Sequence, residues 1–191
     1  GSGALADGNQ DLYLEYEEIF WYCNCGSGLP EIPGVLMSQD QGAELQLSSG
    51  YATGLLLEET GGDSAVFIGC CDLDFEKESF MAFQLGLATV DKSYTATYVP
   101  TGNFPFDFNN TAGATEAYEN AVAEGADAVL PFLGGAHEPI VALANEDGLI
   151  VMTAGSSRGC SRSDLAYDMN VKFDAGDYLV PIFEEILNGT A

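Results

Sequence analysis

The chain has 191 residues, of which 47% are hydrophobic, so it can bury a core of ordinary size. Five lysines and arginines stand against 30 aspartates and glutamates, which gives a formal net charge of −25. This imbalance argues against nucleic acid and anionic lipid as partners, because both require clustered cations. It is typical of an acidic surface that keeps an exported protein soluble, and the surface of a halophile protein is the alternative.

No apolar run approaches the roughly 18 residues of a membrane span, and no signal peptide is present. If the protein is exported, we expect its signal to have been removed before residue 1. Phosphate-binding glycine motifs of the GxGxxG and GxxxxGK[ST] types are also missing from the sequence.

The five cysteines are Cys23, Cys25, Cys70, Cys71 and Cys160. Their number is odd, so at least one has no partner within the chain. The spacings are too tight for zinc, and we predict no metal site. Disulfides are plausible, with Cys23 or Cys25 and Cys160 as the candidates. Cys70 and Cys71 end an apolar strand and are interpreted as buried free thiols.

The first half of the chain alternates between strand and helix patterns. Residues 11–23 fit a helix or a strand equally well, and a loop rich in glycine and proline follows. Apolar spacing then predicts a strand at 35–38, a helix at 41–59, a strand at 64–70, a helix at 76–87 and a strand at 94–99.

The stretch from Phe104 to Gly135 reads as loop, helix, strand and glycine turn. Asn109, Asn110 and Thr111 can cap the helix, Gly125 ends it, and residues 126–133 form a buried strand. Gly134 and Gly135 follow that strand, at the edge where open α/β sheets bind ligands. We therefore expect the phenylalanine-rich loop and the paired glycines to face one crevice.

The remaining chain predicts a helix at 139–144 and a strand at 149–153, then a polar loop that holds both arginines. A strand at 167–171 precedes a closing helix at 174–187, in which Pro181 marks a kink or the true start. Regular alternation of strands and helices predicts an α/β fold, a parallel Rossmann-like sheet in a three-layer αβα arrangement.

Several segments, in order, resemble the basic membrane protein family of substrate-binding lipoproteins. They are ELQLSSGYATGLL at 44–56, AVFIG at 65–69, Phe108-Asn109-Asn110, Gly125-Ala126-Asp127, Gly134-Gly135 and Val171-Lys172. The resemblance covers roughly residues 34–189. It implies one lobe of a type I periplasmic-binding-protein fold that serves an ABC transporter, with a purine nucleoside as ligand and without a cofactor or a catalytic residue.

The resemblance also implies roles at matched positions. Phe108 would stack on a base, Gly134 with Gly135 would admit backbone amides to the ligand, and Lys172 would bind ribose hydroxyls. Asn110 is a further ligand candidate, although a helix cap is its simpler role. At the position of the family's ribose-binding aspartate stand Gly155 and Ser156, so the carboxylate is missing.

A full family member has two lobes, whereas only about 33 residues precede the resemblance here. We therefore assign residues 1–33 to a remnant of, or substitute for, the first lobe. Residues 34–191 form the second lobe, which crosses back at the C-terminal helix. The bare face where a first lobe would sit predicts self-association.

The leading interpretation is an extracellular or periplasmic binding protein, anchored as a lipoprotein, whose partners are a nucleoside-like ligand and a transporter permease. The alternative is a sensory or interaction domain with the same fold. A remote third possibility is an enzyme that pairs Cys70 or Cys71 with His137, the only histidine.

Overall fold

The structure, a computed structural model, describes residues 14–24, 35–38, 42–102, 107–154, 159–172 and 176–190. The strands are β1 (Trp21–Asn24), β2 (Val35–Ser38), β3 (Ser64–Gly69), β4 (Thr95–Pro100), β5 (Ala128–Pro131), β6 (Ile150–Ala154) and β7 (Met169–Val171). The helices are α1 (Gly42–Thr60), α2 (Asp74–Val90), α3 (Thr111–Ala123), α4 (His137–Asp147) and α5 (Gly176–Asn188).

Within these residues, five parallel strands form one sheet in the order β4-β3-β5-β6-β7. Strand β3 is central: its Ala65 lies opposite both Ala96 of β4 and Ala128 of β5. The strands β1 and β2 form a separate parallel pair. The predicted α/β class with a parallel sheet is confirmed.

Helices cover both faces of the sheet, because the apolar residues of β3 alternate between two cores. Phe67 joins Phe83 and Leu87 of α2 on one face. Ile68 joins Tyr118 of α3 and Ile140 of α4 on the other. A strand buried on both sides needs a continuous apolar run, which the sequence AVFIG provides.

The helices α1 and α2 lie unusually close and run parallel to each other. A Cβ atom on Gly50 would collide with the carbonyl of Phe83, and one on Gly86 would collide with the carbonyl of Leu47. Further along, a Cβ on Gly54 would lie 2.7 Å from Val90. Glycine at these positions lets the two backbones touch, so the helices form one rigid layer.

Most predicted elements are confirmed with small shifts at their ends. The predicted helix at 139–144 extends over His137–Asp147, and the strand at 126–133 shortens to Ala128–Pro131. The ambiguous segment at 11–23 ends in β1, although residues 11–13 lie outside the described part. Pro181 lies inside α5, which excludes it as the helix start, and the alternative of a kink at this residue stays a prediction.

The cysteines differ in part from expectation. Cys70 and Cys71 are buried as predicted, but they are paired with each other in a disulfide rather than left as free thiols. The two residues are adjacent at the tight turn after β3, which places their sulfur atoms together. Cys23 is also disulfide-bonded. Cys25 and the side chain of Cys160, the other candidates, lie outside the described residues.

The proposed boundary at residues 33 and 34 stays a prediction. The structure adds that Val35–Ser38 pairs with Trp21–Asn24 and does not join the five-stranded sheet. Among the described helices, none combines the length and the apolar character that a bilayer crossing requires.

Candidate functional site

Three phenylalanines meet at the carboxyl edge of the sheet, one in the first turn of α2 and two in strand-to-helix connections. Phe75 follows β3, Phe108 follows β4, and Phe132 follows β5 directly. The rings of Phe75 and Phe108 are stacked with centroids 6.3 Å apart, and those of Phe75 and Phe132 meet edge to face at 6.1 Å. We call these three residues the carboxyl-edge aromatic cluster.

The cluster lies at the topological switch point of the sheet. The adjacent strands β3 and β5 lead to opposite faces of the sheet, because β3 continues into α2 on one face and β5 continues into α4 on the other. In open α/β sheets, a crevice lies where two such connections separate. All three phenylalanines are partly buried, so part of each residue is accessible to solvent.

The cluster is anchored in the hydrophobic core. The ring of Phe132 contacts that of Phe67 at 5.4 Å, and Phe67 is completely buried. Phe67 in turn packs edge to face on Phe80 and Phe83 of α2. Because this series of rings continues into the core, the exposed rings are held in fixed orientations.

The phenylalanine loop and the paired glycines contact each other directly, as the sequence predicts. The amide of Gly134 donates to the carbonyl of Phe108 at 3.0 Å, and that of Gly135 donates to Oδ1 of Asn109 at 2.6 Å. A Cβ on Gly135 would lie 2.7 Å from that same oxygen. The glycines therefore join the two loops, and their amides already have partners within the protein.

Asn110 has the capping role that its sequence position indicates. Its Oδ1 accepts from the amide of Gly113 at 3.0 Å, in the first turn of α3. Its Nδ2 donates to the carbonyl of Thr101 at 2.8 Å. Both ends of the side chain thus hold the loop that presents Phe108, and a direct ligand contact stays a prediction.

A buried carboxylate organises the turn that precedes Phe75. Glu76 is fully buried and accepts hydrogen bonds from the amides of Cys71 and Leu73 and from that of Cys70. The hydroxyl of Tyr98 donates to the same carboxylate at 3.2 Å. Burial, together with the charge of Glu76, raises the pKa of Tyr98. The connection between β3 and α2 is therefore fixed by one side chain.

Lys172 is the first residue after β7 and is exposed. Strand β7 lies two places from β5 in the sheet, so Lys172 is displaced from the end of β5 by about 10 Å. It therefore lies on the same edge of the sheet as the aromatic cluster. Gly155 and Ser156, the other predicted ligand residues, lie outside the described residues.

The Gly125-Ala126-Asp127 motif lies at the opposite, amino edge of the sheet. Oδ2 of Asp127 accepts from the amides of Asp63 and Ser64 at 2.8 and 3.2 Å, and the hydroxyl of Ser64 donates to the carbonyl of Gly125 at 2.8 Å. Gly125 has a φ of +94°, which favours glycine. This part of the resemblance has a structural role in joining β3 to β5.

His137 has protein partners at both ring nitrogens. Its Nδ1 lies 2.7 Å from the carbonyl of Pro131, and its Nε2 lies 3.2 Å from the hydroxyl of Tyr167. The carbonyl only accepts, so Nδ1 carries the proton and Nε2 accepts from tyrosine. Burial lowers the pKa of His137. The proposed pairing of this imidazole with a thiol gains no support, since Cys70 and Cys71 are bonded to each other.

Arg162 forms ion pairs with two carboxylates of the protein. It contacts Glu138 at the start of α4 and Asp164 in its own loop, each at 2.6 Å. The Arg162 guanidinium lowers the pKa of Asp164 to about 2. Within the described ranges, no group of three histidine, cysteine or acidic side chains is placed to hold a metal ion.

Two members of the aromatic cluster, Phe75 and Phe132, were not predicted as site residues. Both had the same signal as Phe108, because each follows the end of a predicted parallel strand at the carboxyl edge. Glu76, which fixes the turn before Phe75, lies three residues after Leu73 at the capping-box spacing. The strand order, which the sequence does not give, is what brings these three connections together.

Comparison with solved structures shows the fold that this chain shares. A transcriptional activator of the comK gene from Bacillus halodurans aligns over 98% of the chain with a TM-score of 0.75 and 15% identity. ABC transporter solute-binding proteins from Aeropyrum pernix and Conexibacter woesei align over 97% each, with TM-scores of 0.71 and 0.61 and identities of 12% and 18%.

The chain spans 52% to 61% of the length of these three structures. At such low identities the likeness establishes the α/β lobe and its topology. A scan against protein-family profiles and a search of curated proteins found no match.

Proposed function

We propose that this chain is a ligand-binding lobe of an extracellular solute-binding protein that serves an ABC transporter. The observation that carries the proposal is the carboxyl-edge aromatic cluster at the switch point of the sheet, where this class of fold binds its ligands. Two of the three fold neighbours carry the name of that class, and transport is assigned to this chain only as part of the proposal.

A purine nucleoside is the proposed ligand. Partly exposed phenylalanine rings suit a flat base, since aromatic faces stack on any planar ring system. Lys172, about 10 Å along the same edge, suits ribose hydroxyls as a charged donor. The net charge of −25 disfavours a phosphorylated ligand, because the protein's field repels anions.

The binding mode follows from the length of the chain relative to its neighbours. A lobe that presents a single wall of a crevice buries only part of a ligand, so its affinity is low on its own. In the proposed assembly a second lobe closes over the ligand by a hinge motion, and the permease recognises the closed form. Attachment to the membrane as a lipoprotein belongs to the same proposal.

The second candidate is a sensory or interaction domain of the same fold. One of the neighbours is a transcriptional activator, so this fold also occurs in a protein with another role. The missing carboxylate at Gly155 favours this candidate, because an uncharged position weakens the grip on ribose hydroxyls.

Isothermal titration at high protein concentration can test the proposal. Inosine, adenosine, guanosine, uridine, free adenine and ribose serve as probes, and we expect the purine nucleosides to bind most tightly. The Phe108→Leu variant keeps the apolar packing but removes the aromatic face, and it should weaken binding at least fivefold, in line with about 1 kcal/mol for stacking. Lys172→Met should weaken the binding of nucleosides more than it weakens the binding of free adenine.

Lys92→Met is the matched control for Lys172→Met, because Lys92 is an exposed lysine that precedes β4 at the amino edge of the sheet. It should leave every affinity unchanged. Tight binding of ribose without any preference for a base would contradict a nucleoside as the ligand and indicate a sugar instead. No binding of any probe, with a folded protein, would reject the solute-binding proposal and favour the sensory candidate.

A further inference from the structure

The Cys70–Cys71 disulfide lies between the two segments that carry Phe75 and Phe108. The pair follows the last residue of β3 and precedes α2, whose first turn contains Phe75. Cys70 is completely buried, whereas Cys71 is 9% exposed. Ligand binding as proposed above gives this disulfide no role, although it lies at the same carboxyl edge as the aromatic cluster.

Two backbone amides of the connection between β4 and α3 donate to this cysteine pair. The amide of Gly102, two residues after β4, donates to the carbonyl of Cys70 at 2.7 Å. The amide of Asp107, which precedes Phe108, donates to Sγ of Cys71 at 3.1 Å. The cysteine pair therefore positions both the segment that leaves β4 and the segment that presents Phe108.

A disulfide between neighbouring residues acts locally. The chain-entropy stabilisation by a disulfide grows with the length of the loop that it closes, and here the bonded residues are adjacent in sequence. The bond therefore adds little to the stability of the whole fold, and what it constrains is the turn after β3. The next residue, Asp72, has a φ of +58°, a left-handed conformation that is uncommon outside glycine. Opening the bond therefore allows this turn to rearrange while the sheet stays folded.

We propose that the Cys70–Cys71 disulfide is a redox-sensitive switch of the carboxyl edge, which a dithiol reductant opens. The oxidising surroundings of an exported protein favour the disulfide as the resting form. In the reduced form the two sulfur atoms are no longer bonded and separate to van der Waals contact. Cys70 is enclosed by the core, so Cys71 is the residue that moves, and the contact of its Sγ with the Asp107 amide is lost.

The reaction is a thiol–disulfide exchange in which the pair gains two electrons and two protons. One thiolate of the reductant attacks Sγ of Cys71, the only residue of the pair with exposed surface. A mixed disulfide forms, the bond between the cysteines breaks, and Cys70 leaves as a thiolate. The second thiolate of the reductant then attacks the reductant's sulfur in the mixed disulfide and releases Cys71. The reductant becomes a cyclic disulfide, and its two protons end on the two cysteines.

The consequence for ligand binding rests on the proposed function. Phe108 is the residue that we expect to stack on a base, and its ring lies against that of Phe75. Loss of the Asp107 contact should displace Phe108 relative to Phe75, so reduction should weaken the binding of inosine at least threefold. The hydrogen bonds of Asn110 and Gly134 do not involve the cysteines, so they limit the displacement of Phe108.

Hydrogen exchange measured by NMR, with and without dithiothreitol as the dithiol, tests the switch independently of any ligand. We expect the amides of Gly102 and Asp107 to exchange at least fivefold faster in the reduced form, and reoxidation should restore the slower rates. The amides of Asp63 and Ser64, which Asp127 holds at the opposite edge, are the internal control and should keep their rates. The melting temperature should fall by less than about 5 °C, since the bond closes almost no loop.

Mass spectrometry after alkylation of the unfolded protein with iodoacetamide assigns the redox state. Cys70 and Cys71 should be alkylated only when dithiothreitol has been added before unfolding. The double variant with Cys70→Ser and Cys71→Ser cannot form the bond, so its amides should exchange as in the reduced wild type, with or without the dithiol. It retains Cys23, Cys25 and Cys160, and it therefore shows any effect that reduction at those residues causes.

Two results on the wild-type chain would overturn the proposal, and neither depends on whether the double variant folds. One is alkylation of both Cys70 and Cys71 without the dithiol. The other is an increase of less than fivefold in the exchange rates of Gly102 and Asp107 on reduction. If the chain binds no inosine in either redox state, the proposed function fails and the exchange rates still test the switch. Equal affinity for inosine in the two states would overturn the effect on binding.

Discussion

At both the amino and the carboxyl edge of the five-stranded sheet, side-chain oxygens accept hydrogen bonds from backbone amides. The two edges differ in what these hydrogen bonds position. At the amino edge, Asp127 holds backbone amides of residues 63 and 64, and Asp168 accepts from the amide of Val151. At the carboxyl edge, Glu76 and Asn109 hold amides in the same way, but they also position Phe75 and Phe108. The contrast indicates that polar groups stabilise both edges, whereas the aromatic cluster marks the edge for which we propose ligand binding.

The largest effect on stability is expected at the carboxyl edge. Glu76→Ala leaves two buried amides, one partly buried amide and the Tyr98 hydroxyl without their acceptor, so it should lower the free energy of unfolding by about 3 kcal/mol. Urea denaturation measures the loss. Glu78→Ala, an exposed glutamate on the same helix, is the control and should change stability by less than about 0.5 kcal/mol. Equal effects of the two variants would contradict the role given to Glu76.

The amino edge should show a stability loss without a loss of binding. Asp127→Ala removes an acceptor for the amides of Asp63 and Ser64, and we expect it to cost about 1–2 kcal/mol. Affinity for the best probe should stay within twofold of wild type, since Asp127 lies at the opposite end of β5. A large fall in affinity in a folded Asp127→Ala protein would remove the distinction between the edges.

Gly135→Ala should modestly reduce both the stability of the protein and its affinity for nucleosides. The new Cβ would lie 2.7 Å from Oδ1 of Asn109, which must move and displace Phe108 with it. We expect a stability loss of about 1 kcal/mol and weaker nucleoside binding. Gly148→Ala provides a comparison away from the site: its φ of +74° strains any side chain, but its surroundings are open. It should reduce stability and leave binding intact.

The smallest effect concerns pH. The folded-state pKa of His137 lies below its unfolded value of about 6.5, so the unfolded chain binds more protons as pH falls. Stability should therefore decrease as pH drops from 7 to 5, and His137→Asn should flatten that part of the profile. This chain has a single histidine, which makes the assignment direct. An identical pH profile in the variant would show that His137 does not titrate as described.

Much of the fold could be predicted because the signals are local. The apolar run at Ala65 to Gly69, the cap at Asn110 and the glycine at position 125 each determine structure within a few residues. The aromatic cluster could not be predicted in full, because Phe75, Phe108 and Phe132 are brought together only by the order of the strands. The pairing of Cys70 with Cys71 was not predicted, because two cysteines at the end of an apolar strand are equally compatible with buried free thiols.

NMR chemical-shift mapping of the isotope-labelled chain, titrated with inosine and with ribose, tests the central claim most directly. It detects weak binding, which suits a lobe that presents one wall of a crevice. We predict that inosine shifts the amides at residues 72–76, 107–110 and 132–136 and the aromatic signals of Phe75, Phe108 and Phe132. Shifts confined to the amino edge around Asp63 and Asp127, or no shift with either probe, would contradict the account.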